Sequence, residues 1–119
     1  FEEITGGGIH HYQSGGTPGG DMRIFGNVFR MPRRYSWTLP ESGSYAVEIY
    51  MYGEGRAHVY NNLFLGERRR TGIRLASPDN LVYNNTFYDN RYAVDARGGR
   101  NRLFNNVFFG GDGRCPASC

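Results

Sequence analysis

Residues 82–87 read Val-Tyr-Asn-Asn-Thr-Phe, and this six-residue pattern decides the fold because the chain contains it four times. The other copies are Ile-Phe-Gly-Asn-Val-Phe at 24–29, Val-Tyr-Asn-Asn-Leu-Phe at 59–64 and Leu-Phe-Asn-Asn-Val-Phe at 103–108. The second Asn of successive copies is displaced by 35, 23 and 21 residues (27 to 62, 62 to 85, 85 to 106). The last two steps approach a regular period, and the longer first step indicates an insertion.

A second, weaker repeat precedes each copy. It reads Gly-Ile-His-His at 8–11, Ala-Val-Glu-Ile at 46–49, Gly-Ile-Arg-Leu at 72–75 and Ala-Val-Asp-Ala at 93–96. Each period therefore holds two short extended pieces joined by turn residues, and neither piece is long enough for a helix. When such pieces pair in parallel from one period to the next, equivalent residues stack about 4.8 Å apart. The pattern predicts an all-β solenoid, a parallel β-helix of about four coils.

Each column of the repeat becomes a ladder in such a stack. The predicted inward ladders are aliphatic (Ile24, Val59, Val82, Leu103) and aromatic (Phe29, Phe64, Phe87, Phe108). These two columns lie five positions apart, an odd number, so a bend must separate them. The Asn pair supplies the bend, because Asn tolerates left-handed backbone and its side chain satisfies turn amides. The predicted polar ladder is Asn27, Asn62, Asn85 and Asn106, hydrogen-bonded from coil to coil.

The hexapeptide at 82–87, preceded by Gly-Ile-x-Leu and a short turn, resembles the repeat of the pectate-lyase-like right-handed parallel β-helix superfamily. The resemblance covers roughly residues 8 to 109. Members of that superfamily include polysaccharide lyases, glycoside hydrolases, uronan epimerases, phage tailspikes and adhesins. The resemblance implies a secreted protein, extracellular or periplasmic, of bacterial origin and associated with polysaccharide, and it does not choose an activity.

One outward column concentrates the polar chemistry of the repeat. It comprises His10, Glu48, Arg74 and Asp95, in successive coils of one sheet. As catalytic residues, the carboxylates would act as acid and base on a glycosidic bond, with Glu48 and Asp95 about 9.6 Å apart between backbones across two coils. As structural residues, they would form surface ion pairs that alternate in sign down the sheet.

A second outward column and a loop are candidates for glycan binding. The column is aromatic (Phe25, Tyr60, Tyr83, Phe104), and its rings would either stack on sugars, with Tyr60 and Tyr83 as binding residues, or be covered by protein. The insertion at 30–44 forms a lateral loop that contains Arg33, Arg34, Tyr35 and Trp37. These cations and rings suit an acidic sugar chain, and the alternative is that Trp37 packs back on the coil.

Composition narrows the class of protein and its partners. The 119 residues fit one domain, with a tail at 110–119. The net charge is +3 and all 14 basic residues are Arg, which pairs well with anionic groups. These Arg residues are scattered, so we expect no nucleic-acid partner, and no apolar stretch reaches the roughly 18 residues of a membrane span.

The tail carries the two cysteines, Cys115 and Cys119. They would close a small disulfide loop in an oxidising compartment, pair elsewhere, or remain thiols. With no His near them we expect no metal site, and no motif calls for a cofactor.

The sequence therefore predicts a polysaccharide-binding or scaffold segment of a β-helix protein that acts on acidic glycans. The alternative is a structural or adhesive filament component that stacks end to end, because four coils leave bare ends that solenoids normally cap. Further coils of a parent chain or of identical subunits would then be partners. A third hypothesis is a glycoside hydrolase, or a uronan epimerase or lyase.

Overall fold

The computed structural model describes residues 8–13, 20–30, 45–51, 55–66 and 71–111. Within these ranges the chain forms twelve strands in three parallel four-stranded sheets. The first sheet contains β1 (Ile9–Gln13), β4 (Tyr45–Met51), β7 (Thr71–Leu75) and β10 (Tyr92–Ala96). The second sheet contains β2 (Met22–Phe25), β5 (Ala57–Tyr60), β8 (Leu81–Tyr83) and β11 (Arg102–Phe104). The third sheet contains β3 (Val28–Arg30), β6 (Leu63–Leu65), β9 (Thr86–Tyr88) and β12 (Val107–Phe109).

The strand order confirms the parallel β-helix of four coils. Each sheet follows the coils in sequence order, and every pairing within it is parallel. The register is the one that the repeats predict, since Val59 pairs with Ile24 and Val82, and Phe64 pairs with Phe29 and Phe87. The two repeated motifs therefore lie over one another coil by coil.

Each coil holds three strands, and the prediction of two extended pieces was wrong in this respect. The bend at the Asn pair divides every hexapeptide into a strand of the second sheet and a strand of the third. The first residue of the pair adopts the left-handed backbone conformation that makes the bend, with φ of 54° at Asn61 and Asn84 and 53° at Asn105. The first coil has Gly26 there, at φ 69°, because Gly enters this region without steric cost.

The core is the interior of the stack. Val59 and Val82 are fully buried with Val47, Ile73 and Val94 of the first sheet. The Phe64 ring stacks on Phe29 and on Phe87 with centroids 4.8 Å apart on each side. Such burial of aliphatic and aromatic area is the main stabilising contribution to a fold of this kind.

The last coil corrects one core prediction. Phe108 does stack on Phe87, at 5.3 Å, but 49% of its area is exposed, and Leu103 is only partly buried. These side chains have a neighbouring coil on one side only within the described part of the chain. The ladder position is therefore as predicted, while full burial is wrong for Phe108.

The Asn ladder forms as predicted. The backbone N–H and the Nδ2 of Asn62 both donate to Oδ1 of Asn85, at 3.0 Å each. The Nδ2 group of Asn62 also donates to the carbonyls of Ile24 and Tyr60, each at 2.9 Å. One amide thus satisfies polar groups of three coils in a buried turn, where an unpaired group would cost free energy.

A second polar ladder was not predicted. It lies at the turn from the first to the second sheet, where the backbone N–H and Nδ2 of Asn80 donate to Oδ1 of Asn101 at 2.8 and 3.0 Å. Asn80 in turn accepts from the backbone N–H of Ala57 at 3.0 Å, and Ser77 accepts from that of Met51 at 2.9 Å. The step from Asn80 to Asn101 is 21 residues, the same as the step from Asn85 to Asn106 in the first ladder, and this match was the signal available in the sequence.

The lateral loop and the tail fall largely outside the described residues. Arg30, predicted to open the loop, is instead the last residue of β3. Arg33, Arg34, Tyr35 and Trp37, and the cysteines Cys115 and Cys119, lie outside the described ranges. Among the residues that are described, no helix is long and apolar enough to cross a membrane.

Candidate functional site

The predicted polar column lies on the outer face of the first sheet. The register aligns His10 with Glu48, Glu48 with Arg74, and Arg74 with Asp95, one residue from each coil. The strand neighbours of Glu48, Arg74 and Asp95 are core residues, and Ile9, next to His10, packs against the core. Alternation along the strands therefore brings the four side chains to one face.

Glu48 is the centre of a hydrogen-bonded network on this face. Its Oε2 accepts from Nδ1 of His10 at 2.8 Å, and its Oε1 accepts from the Tyr50 hydroxyl at 3.0 Å and from Nη1 of Arg74 at 3.1 Å. The carboxylate is mostly covered, with 16% of its side chain exposed. A carboxylate only accepts, so Nδ1 of His10 carries a hydrogen and, in the neutral ring, Nε2 is left as an acceptor toward the surface.

Arg74 is held by a second tyrosine as well as by Glu48. Its Nη1 also donates to the Tyr45 hydroxyl at 2.7 Å, and its guanidinium carbon lies 4.9 Å from the centre of the Tyr45 ring. The Nε of Arg74 is buried without a hydrogen-bond partner. The contacts of Nη1 with Glu48 and Tyr45, and the position of the guanidinium over the Tyr45 ring, hold this group in place on the sheet.

Tyrosines 12 and 50 extend the site and were missed in the sequence. They stand two residues after His10 and Glu48, so they share the same outward face, and this parity was the signal that could have revealed them. Their ring centroids are 6.2 Å apart with planes tilted by 46°, and Tyr12 is 65% exposed. Burial, and then the hydrogen bond to Glu48, raise the pKa of Tyr50, which keeps this hydroxyl protonated as a donor.

Asp95 does not join the network around Glu48 through any contact that the structure shows. Its two oxygens accept from Nε of Arg97 at 3.4 and 3.1 Å. The structural alternative was a column of ion pairs that alternate in sign from coil to coil. Such a pair forms between Glu48 and Arg74, whereas Asp95 pairs with Arg97 of its own coil.

The aromatic column lies on the outer face of the second sheet, as predicted. Tyr60 and Tyr83 stack with centroids 5.0 Å apart and planes at 3°, and each also stacks on a Phe of the adjacent coil at 5.1 or 5.0 Å. Both faces of these two tyrosine rings are thus covered by neighbouring rings. They present edges and hydroxyl groups outward, whereas a sugar stacks on the face of a ring. Their role in glycan binding stays a prediction.

A separate polar cluster lies at the turn from the first to the second sheet. An open cleft of about 510 Å³ is lined there by Asp21, Gly55, Arg56, His58 and Asp79. Asp21 accepts from the backbone N–H of Arg56 at 3.0 Å and lies 3.2 Å from Nε2 of His58. The backbone hydrogen bond is the main reason that the pKa of Asp21 is lowered.

Asp79, on the same cleft, is engaged by Arg100 of the next coil. The guanidinium donates from Nε at 2.8 Å and from Nη2 at 2.6 Å, and this bidentate pair lowers the pKa of Asp79. In the described part of the chain, no three His, Cys, Asp or Glu side chains are grouped so that they could hold a metal ion.

Comparison with known proteins agrees with this architecture. Residues 1–117 match the family described as the right handed beta helix region. The chain belongs to this family. Neither the curated proteins nor the solved structures gave a match. Membership in the right-handed β-helix family fits a polysaccharide-related or structural β-helix protein and confirms the right-handed parallel β-helix, while the pectate-lyase-like character stays a prediction.

Proposed function

We propose that the outer face of the first sheet binds an extracellular polysaccharide, and that the preferred class is an acidic glycan. The observation that carries this proposal is the open ring of Tyr12 beside the hydrogen-bonded row of His10, Glu48 and Arg74. Sugar sites combine a flat apolar surface for the ring with fixed polar groups for the hydroxyls.

The aromatic part of the site is provided by Tyr12. Its ring is tilted against that of Tyr50 rather than stacked on it, so its face is open to a ligand. Tyr50, held by Glu48 at its hydroxyl, supports this position from the next coil. An amphipathic ring of this kind buries flat apolar area and loses little conformational entropy on binding.

The polar part of the site is preorganised. Glu48 fixes the orientation of His10 and of Arg74 before any ligand arrives, so less ordering is needed on binding. The surface-facing nitrogen of His10 lies in the row of Glu48 and Arg74, and the Tyr50 hydroxyl reaches Glu48 from the neighbouring column that Tyr12 and Tyr50 form. An extended glycan that follows the solenoid axis meets these groups in turn.

The preference for an acidic glycan rests on charge. The chain carries +3 and all of its cations are Arg, whose planar fork binds carboxylate or sulfate with two hydrogen bonds. Arg97, which stands in the fourth coil at the column of Tyr12 and Tyr50, is largely exposed and pairs with Asp95. Long-range attraction of this type weakens as salt is added.

The hydrogen bonding favours binding over hydrolysis. A glycosidase needs one carboxyl group that can reach the glycosidic oxygen and a second that can reach water or the sugar carbon. Both oxygens of Glu48 already accept hydrogen bonds from other side chains, and both oxygens of Asp95 face Arg97. We therefore assign Glu48 the role of a positioning residue.

Calorimetric titration with polygalacturonate and with neutral dextran tests the proposal. We expect binding to polygalacturonate at low salt, weaker binding at high salt, and little binding to dextran. Tyr12→Ala should weaken binding about tenfold, and Tyr88→Ala, which removes an exposed ring from the third sheet, should leave it unchanged.

Two results would contradict the proposal. If neither polygalacturonate nor dextran binds at low salt, the proposal that the first sheet binds a polysaccharide is refuted. Equal losses in Tyr12→Ala and Tyr88→Ala place the binding surface elsewhere than on the first sheet.

A further inference from the structure

His10 is the member of the polar row whose hydrogen-bonding character depends on its charge. Its Nδ1 lies 2.8 Å from Oε2 of Glu48, and 57% of the side chain is exposed. Because a carboxylate only accepts, Nδ1 keeps its hydrogen in both charge states of the ring. The difference between the two states therefore falls on Nε2, which is an acceptor in the neutral imidazole and a donor in the charged one.

An anionic ligand distinguishes these two states. A carboxylate of a glycan offers only acceptors, so it meets a lone pair at Nε2 of the neutral ring and an N–H donor on the charged ring. The second contact is a charge-assisted hydrogen bond, which is roughly twice as strong as a neutral one. A hydroxyl group of a neutral sugar both donates and accepts, so it fits either state of the ring.

The charges around His10 leave the charged ring without an anion of its own. Glu48 contacts His10 and is also paired with Arg74 at 3.1 Å, so its negative charge is shared. Tyr50, on the same strand as Glu48, brings its ring to 5.7 Å from the imidazole and donates its hydroxyl to Glu48. In the described part of the chain, β4 is the strand paired with β1, and no other charged group is shown in contact with His10.

The neighbours of His10 do not change charge near neutral pH. Histidine titrates between about pH 5 and 8, whereas Tyr and Arg titrate at higher pH and carboxyl groups at lower pH. Burial, and then the hydrogen bond to Glu48, raise the pKa of Tyr50 further above this range. His11, the next residue, is aligned with the buried Ile49 and its Nε2 is buried, so it does not reach the outer face.

We infer that the first sheet binds the carboxylate of an acidic glycan together with one proton, which Nε2 of His10 takes up from the solvent. This inference rests on the proposed function and adds the group that selects a carboxylate over a hydroxyl. No covalent bond of the glycan changes: the proton passes from the buffer to the imidazole, which then donates an N–H···O hydrogen bond to the carboxylate. The linkage is reciprocal, because a ligand that favours the charged ring binds more tightly where the ring is already charged.

The direction of the pH dependence follows from this linkage. Affinity should rise as the pH falls through the range in which histidine titrates, and it should be lowest at pH 8. An opposite charge shifts the proton affinity of an exposed group by about one pH unit, so the affinity for polygalacturonate should rise about tenfold between pH 8 and pH 5. Carboxyl groups titrate near pH 4, so the ligand keeps most of its charge over this range.

Calorimetric titration with polygalacturonate in two buffers measures the proton directly. PIPES and Tris release protons with different enthalpies, so the difference between the observed heats gives the number of protons taken up per chain. At pH 7 and equal ionic strength we expect an uptake of about half a proton. His10→Gln should abolish the uptake and the pH dependence, whereas His58→Gln, the same substitution on the second sheet, should retain both.

A second measurement keeps the test valid if His10→Gln binds too weakly for calorimetry. In a proton NMR spectrum, the imidazole C–H signal that is missing from His10→Gln identifies His10 in the parent chain. The titration midpoint of this signal should move upward by about one pH unit when polygalacturonate is added.

The outcomes separate this inference from the proposal on which it rests. Binding of polygalacturonate without proton uptake, uptake that persists in His10→Gln, or an unchanged midpoint for His10 overturns the inference and leaves glycan binding by the first sheet intact. Equal loss of uptake in His58→Gln and His10→Gln also overturns it, because the proton then has no single site at His10. Absence of binding refutes both.

Discussion

At the scale of single residues, the two members of each Asn pair have different tasks. Asn84 makes the bend through its left-handed backbone and is exposed, while the Asn85 side chain is buried and hydrogen-bonded. The Nδ2 group of Asn85 donates to the Val59 carbonyl at 2.8 Å, and its Oδ1 accepts two hydrogen bonds from Asn62. The second Asn is therefore specified by hydrogen bonding and the first by backbone geometry.

This difference predicts opposite responses to substitution. Asn85→Ala should lower the free energy of unfolding by about 2–4 kcal/mol, because it leaves several buried polar groups unpaired. Asn84→Gly should change it by at most about 1 kcal/mol, toward stabilisation, since Gly occupies left-handed backbone without strain and Gly26 does so in the first coil. Urea unfolding of the two variants measures both values, and equal losses would refute the assignment of tasks.

The pair of Asp79 and Arg100 gives a prediction about acid stability. Its hydrogen bonds lower the pKa of Asp79 in the folded state. The stabilisation is therefore present above the unfolded-state pKa of about 3.9 and is lost as the pH falls through the lower folded-state value.

Asp79→Asn removes this contribution. The parent chain should be more stable than the variant at pH 7, and the difference should shrink toward pH 2. Urea unfolding of the two chains across this range is the measurement. A difference that is constant with pH would show that the carboxylate charge is not the cause.

At the scale of strands, the inner and outer rings of the same coil should differ in their contribution to stability. Phe64 is fully buried between two rings of the core, while Tyr60 stacks on the outside of the stack. Phe64→Ala should cost about 3–5 kcal/mol, and Tyr60→Ala about 1–2 kcal/mol. Denaturant unfolding compares them, and the reverse order would mean that the register is shifted by one residue, which exchanges the faces of a strand.

The strands were predictable because parallel stacking turns each repeated column into a ladder. The columns of Val59, Phe64 and Asn62 keep their chemistry in all four coils, so one sequence comparison predicts register, core and turn. The second ladder was missed because its Asn residues, Asn80 and Asn101, occur only in the third and fourth coils.

The candidate site was harder to predict because its residues do not repeat. At the position of Tyr12 and Tyr50 the third and fourth coils have Ala76 and Arg97, so no column marks these rings. The partners of Glu48 depend on side-chain torsions and on a hydrogen bond from a neighbour two residues away. Whether a ring lies face-on or edge-on to solvent likewise depends on packing between coils, which the repeat does not encode.

At the scale of the whole molecule, the outer face of the first sheet differs in chemistry from the outer faces of the second and third sheets. The first sheet carries carboxylates, Arg and His on its outer face. The outer faces of the second and third sheets are mainly aromatic and aliphatic, and the eight strands of these sheets contain no Asp or Glu. A hydrated ligand fits the outer face of the first sheet, and the outer faces of the other two sheets resemble surfaces that contact protein.

Because each coil contacts only its neighbours, stability should vary along the stack rather than be uniform. Among the described residues, the fourth coil has a partner coil on one side and a half-exposed Phe108, while the third coil has partner coils on both sides. Amides of β11 and β12 should therefore exchange with deuterium faster than those of β8 and β9 by at least about tenfold, the equivalent of a local opening easier by about 1.4 kcal/mol. Hydrogen-exchange mass spectrometry resolves these strands. Equal protection of the two coils would contradict this prediction.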